Sequence, residues 1–189
     1  MKLTRSIYNS IEDIRAEVQG LKTCVILGTG ASINNLDFNK VGEFLTIGIN
    51  RIGRAFTPDI HINIDATTWD SNSPAKLTWD GSGAADNYIR YGRHCAGIPY
   101  ALRLAIEFGI INIYLCGIDL NGFHFWDPKG NHATLEGYEK YWIHLKRIHL
   151  ESIIQAAKAL KIKGGGLYNC SRSSFIDFLE YSDRFNEAN

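Results

Sequence analysis

Residues 97–119 read GIPYALRLAIEFGIINIYLCGID, a helix pattern running directly into a strand pattern. Over 97–109, Pro99 falls in the first turn, where a missing N–H costs nothing, and Gly109 supplies the stop. Residues 110–117 are apolar almost throughout, as a strand must be when helices cover both of its faces. Upstream, TCVILG at 23–28, FLTIGIN at 44–50 and PDIHINID at 58–65 read as three further strands. Ile7, Ile11, Ile14 and Val18 mark one face of a helix over 6–21. Downstream, Tyr141, Leu145, Ile148, Ser152, Ala156 and Leu160 keep the helical period over 136–161. GGGLYNCS at 164–171 turns into a last strand, and SFIDFLEY at 174–181 predicts a short closing helix. Between Thr67 and Arg93 the periodicity dissolves into Ser, Gly, Asn and Asp around Trp69 and Trp79, which reads as a functional loop region.

Composition fits one α/β domain over 1–189. The chain has 189 residues, 45% hydrophobic and 21% charged, enough to bury a sizeable core. Lysines plus arginines equal aspartates plus glutamates at 20 each, so there is no excess positive charge for a nucleic-acid footprint. The longest apolar run, 110–118, is interrupted by Asn112 and Gly117 and is too short for a membrane span. MKLTRSIYNSIEDIR lacks the apolar stretch of a secretory signal. The 4 cysteines show no CxxC or zinc spacing, and Cys24, Cys116 and Cys170 sit in strand-like runs as small buried hydrophobes. These features predict a cytoplasmic protein.

The densest chemistry follows the first strand, at Gly28-Thr29-Gly30-Ala31-Ser32. Glycines admit close backbone approach, and N–H groups exposed at such a turn can point at phosphate. Ile33 occupies the third glycine position of the dinucleotide fingerprint, and there is no GxxxxGK[ST] loop, so the turn serves either packing or a ligand. The other strands end in Asn50-Arg51, in Asp65 and in Gly117-Ile118-Asp119. In a parallel sheet with right-handed crossovers these ends converge on the carboxyl edge, where open α/β sheets bind ligands. The expected architecture is a single Rossmann-like three-layer domain with a mainly parallel sheet.

The succession GTGAS, GIN, PDIHINID, RHCAGIPYALRLAIEFGIINIYLCGIDLNG and LYNCSRSS resembles two related groups over about residues 23–180. One is the bacterial lipooligosaccharide sialyltransferases, which use CMP-sialic acid on a Rossmann-like domain with a lid. The other is the 6-hydroxymethylpterin pyrophosphokinase-like family, many of whose members lie in surface-glycan gene sets. The resemblance implies that Gly28, Thr29, Gly30 and Ser32 cradle the nucleotide phosphate and that Asn50 contacts the nucleotide. It places Arg93 beside the acceptor, His144 as general base, Tyr141 near the substrate, and a short lid over about 120–140.

Two positions depart from the sialyltransferase pattern: Asp65 stands where a donor-contacting asparagine is expected, and Ala96 where a serine holds the donor's sugar carboxylate. Two carboxylates about 4 Å apart repel by about 4 kcal/mol at an effective dielectric near 20, so Asp65 suits a neutral sugar better than sialic acid. The implied activity is transfer of a sugar from a CMP-type or other nucleotide donor to a glycan acceptor hydroxyl, with no metal required. The alternative is a pyrophosphokinase in which Asp65 and Asp119 hold Mg²⁺. A third reading is a non-catalytic nucleotide-binding module. His149 falls on the apolar stripe and reads as a packed histidine, while His124 and His132 flank a PKGN turn in the lid. The 67–92 region could serve a substrate or a contact between copies of the chain.

Overall fold

The computed structural model describes residues 3–4, 7–64, 72–78, 88–92, 96–120, 125, 138–172 and 174–187. Its single sheet contains β1 (Thr23–Leu27), β2 (Leu45–Ile49), β3 (Ile60–Ile62), β4 (Ala75–Thr78), β5 (Ile89–Arg90), β6 (Asn112–Cys116), β7 (Gly166–Asn169) and β8 (Glu180–Tyr181). The strand order is β5-β4-β3-β2-β1-β6-β7-β8, and every pairing is parallel. This is an α/β Rossmann-like architecture. The order reverses between β1 and β6, and ligands of such sheets bind outside the carboxyl ends at that point.

Alternate residues of β1 supply two cores. Cys24 and Ile26 join Ile47, Ile62, Leu77, Ile113 and Leu115 on the face covered by α1 (Ile11–Val18), α3 (Gly97–Glu107) and α4 (Tyr138–Ile162). Val25 and Leu27 join Ile33, Leu36, Val41, Ile52 and Phe185 on the other face. That second layer is thin among the described residues: a 3-10 turn at Ala31–Asn35, the four-residue α2 (Phe38–Val41), a second 3-10 turn at Asn50–Arg54, and the C-terminal segment. Cys24, Cys116 and Cys170 are free and buried. Among the described residues, no helix is long and apolar enough to cross a membrane.

Three sequence expectations are corrected. The first helix starts only at Ile11, because the Ser10 side chain accepts from the Asp13 amide and caps it there, leaving Ile7 outside and 69% exposed. Part of the region between Thr67 and Arg93 joins the sheet as β4 and β5, with Ala75 and Leu77 buried. The closing helix expected over 174–181 does not form. The Ser174 hydroxyl accepts from the Ile176 amide in a local turn that competes with a helix, the Phe175 amide is drawn to the Asp119 carbonyl, and Glu180–Tyr181 pair with β7.

Candidate functional site

At the reversal of strand order, the loops after β1 and β6 interlock. A Cβ on Gly28 would lie 2.4 Å from the Gly117 carbonyl oxygen, and one on Gly30 would lie 2.5 Å from Cγ of Asp119. Only glycine permits that approach. The Gly28 amide donates to the Cys116 carbonyl at 2.8 Å and the Gly30 amide to the Gly117 carbonyl at 2.7 Å. The Ser32 amide donates to Asp119 Oδ2 at 2.8 Å, and the Ser32 hydroxyl donates to Oδ1. The Thr29 carbonyl accepts from the Phe125 amide at 3.0 Å. The amides of Gly28, Gly30 and Ser32, expected to face a phosphate, are therefore spent on the neighbouring loop, and the Asp119 carboxylate sits where an external anion was anticipated. Asp119 itself is 1% exposed. Moreover, β1 leads into a five-residue 3-10 turn rather than a full helix, so no helix macrodipole reinforces this turn.

One strand over, Asn50 has a left-handed φ of 50°. Its Oδ1 accepts from the Ile64 amide at 3.2 Å, tying the end of β2 to the chain leaving β3. The Asn50 carbonyl accepts from His61 Nε2 at 2.6 Å, which leaves His61 Nδ1 as acceptor for the Tyr88 hydroxyl at 3.4 Å. His61 is fully buried on β3. Neither His61 nor Tyr88 carries a motif in the sequence; the available signal is a histidine out of phase with Ile60 and Ile62.

The N-terminus of α3 rests on the same corner. A Cβ on Gly97 would lie 2.3 Å from Cγ2 of Ile49, so the helix begins packed against the last residue of β2. Ala96 occupies the N-cap and gives no side-chain capping bond. Pro99 has no N–H, so the Gly97 and Ile98 amides are the remaining first-turn donors, at the positive pole of an 11-residue helix.

His144 belongs to a part of α4 that overhangs the sheet. At about 1.5 Å per residue, the 25 residues of α4 extend about 38 Å, whereas the five residues of β6 rise only about 16 Å. α4 ends just before β7 starts at the amino edge, so its opening turns project past the carboxyl edge. Burial agrees: Ile153, Ala156 and Leu160 are buried, while Ile143 is 69% exposed and His144 is exposed. Lys146 lies over the Phe175 ring at 3.5 Å, and the Phe175 amide donates to the Asp119 carbonyl at 3.0 Å, linking this overhang to the crossing point. His149, further along, has a buried Nδ1 without a hydrogen-bond partner among the described residues, and burial pushes its pKa down to about 4.

The structure thus brings Gly28, Thr29, Gly30, Ser32 and Asp119 together, sets Asn50 and the start of α3 beside each other, and projects His144 from the same edge. Arg93, Asp65, His124 and His132 lie outside the described residues, as does the expected lid over 120–140 apart from Leu120, Phe125 and the first backbone turn of α4. Tyr141 is on α4, but its side chain is likewise outside. No group of three or more metal-ligating side chains occurs among the described residues. No family model, curated protein or solved structure matches the chain.

Proposed function

We propose that the chain is a nucleotide-sugar-dependent transferase of the sialyltransferase-like kind, with the donor phosphate at the start of α3 rather than in the glycine turn. The carrying observation is the N-terminus of α3, to which the N-cap Ala96 gives no side-chain bond, seated on the end of β2 beside Asn50. Its amides and dipole favour negative charge, whereas the glycine turn already holds Asp119. Arg93 lies three residues before Ala96, and Asp65 follows Ile64, the residue tied to Asn50. Asp65 accepts from hydroxyls of a neutral donor sugar. His144 takes the proton of the acceptor hydroxyl as its oxygen bonds to the anomeric carbon. The bond from that carbon to the phosphate oxygen breaks, and the nucleotide leaves with the electron pair. An imidazole nitrogen is a suitable acceptor for that proton.

The Mg²⁺-dependent pyrophosphokinase reading is weakened by Asp119, whose two oxygens both accept from Ser32. The test is a thermal-shift panel of CMP, UDP and ATP with and without Mg²⁺, since a ligand selective for the folded state raises stability by RT ln(1 + [L]/Kd). Metal-independent stabilisation by a pyrimidine nucleotide supports the transferase, and metal-dependent stabilisation by ATP supports the kinase. In the first case, His144→Ala keeps nucleotide binding while turnover falls by about two to four decades. A chain that responds to no nucleotide at millimolar concentration is not a transferase of this kind.

A further inference from the structure

On the thin-layer face, beyond Ser32 and away from α3, lies a hollow of about 210 Å³. Ser32, Asn35, Ser171, Arg172, Tyr181 and Asn186 line it, and Cys170 contributes to its wall. We propose that this hollow is a binding site for a small oxyanion, a phosphoryl group in the first instance, held by the Arg172 guanidinium. Three observations carry the assignment.

The lining is polar, and among the described residues forming it the one full charge is the positive charge of Arg172. A guanidinium presents a planar fork of donors that matches phosphate and carboxylate geometry. The wall around it is also built rather than incidental. The Asn169 side chain, 5% exposed, accepts from the Ser171 amide at 3.0 Å and donates to the Ser171 carbonyl at 2.9 Å, fixing the turn that carries Arg172. The Arg172 Cζ stands 4.8 Å from the Tyr181 ring centroid, the Tyr181 hydroxyl accepts from Asn186 at 2.8 Å, and the Asn186 carbonyl accepts from Lys40 at 2.9 Å. Finally, the volume falls below the roughly 300 Å³ at which pockets begin to enclose larger organic ligands, which selects a compact group.

Two carboxylates oppose an anion here. Asp119 lies behind Ser32, buried and already accepting two hydrogen bonds, and the exposed Asp183 adds negative charge in the neighbourhood of Arg172. The site is therefore expected to hold its ligand in the millimolar range and to weaken with salt.

Because the hollow and α3 lie on opposite faces of the sheet, this inference stands whether or not the chain transfers sugars. Its test is a phosphorus NMR titration of the full chain at low salt with inorganic phosphate and glycerol phosphate, and a calorimetric titration with acetate. Arg172→Gln should weaken phosphate binding at least about tenfold without lowering the melting temperature, since Arg172 is exposed. Arg172→Lys should retain part of the affinity. Arg147→Gln, which removes the same charge from α4, should change it less than about twofold. Stronger binding of glycerol phosphate than of free phosphate marks a phosphomonoester site, and equal binding of acetate marks a general oxyanion site; both support the proposal. No binding up to about 20 mM, an unaffected Arg172→Gln variant, or an equal loss in Arg147→Gln overturns it. CMP stabilisation that survives in Arg172→Gln would leave the transferase reading intact even then.

Discussion

Ser32 grips Asp119 with both of its donors, the amide to Oδ2 at 2.8 Å and the hydroxyl to Oδ1. The pair joins the loop after β1 to the loop after β6 at the place where the sheet reverses its strand order. Hydrogen bonds to a charged group contribute about 1.5–3 kcal/mol each, and removing the acceptor leaves both Ser32 donors unsatisfied. Asp119→Ala should therefore cost about 3–5 kcal/mol and Ser32→Ala about 1–3 kcal/mol, measured by urea denaturation. An Asp119→Ala variant within about 0.5 kcal/mol of the parent would mean that the clasp does not hold the two loops.

The close approach at Gly28 is rigid, because the first atom a side chain meets is the Gly117 backbone oxygen at 2.4 Å. Gly28→Ala should cost about 3 kcal/mol or more. Gly20, with φ of +88° and nothing within 4 Å, should cost only about 1–2 kcal/mol on the same change, from backbone strain alone. If the two variants lose equal stability, the loops are not locked in contact.

Burial lowers the His149 pKa to about 4, so the native state keeps the imidazole neutral where the unfolded chain protonates it near 6.5. The native state is thus the poorer proton acceptor. The contribution of His149 to stability is therefore neutral above pH 6.5, turns unfavourable by about 1.4 kcal/mol per pH unit below that, and levels off once the pH passes below about 4. His149→Leu should flatten that slope in denaturation curves collected from pH 7 to 4. A slope unchanged by the substitution would assign the acid sensitivity to other groups.

Asn50 carries two separable burdens, the left-handed backbone and the bond to the Ile64 amide. Asn50→Gly keeps the first comfortable and loses the second, for about 1 kcal/mol; Asn50→Ala suffers both, for about 2–3 kcal/mol. Glycine proving the more damaging of the two replacements would contradict this division.

The central strands and the two long helices were legible from the sequence because their apolar residues repeat over long or uninterrupted stretches. Residues 97–119 form the helix and strand that the pattern predicts, each with shorter bounds: α3 ends at Glu107 and β6 spans Asn112–Cys116. The margins of the sheet were not legible. Ile89–Arg90 and Glu180–Tyr181 contain too few residues for any period to register, and they are strands because a neighbouring strand offers hydrogen-bonding groups. At the carboxyl edge, the clustering of Gly28, Gly30, Ser32 and Asp119 followed from chain order in a parallel sheet. What local sequence could not convey was that Asp119, 87 positions from Ser32, would consume the donors itself. That is a tertiary pairing with no local signature. The histidine at 61 was hidden for a related reason, since its partners, Asn50 and Tyr88, come from separate segments.

The brevity of β5 and β8 has a bearing on how the protein behaves in a crowded solution. A sheet stays open to recruitment by other chains for as long as its rim displays a run of unsatisfied amides and carbonyls, and here each rim strand spans only 2 residues. The charged Arg90 and Glu180 occupy those two rims. Among the described residues, so little edge backbone, flanked by charge, gives an incoming strand few groups to pair with at either rim.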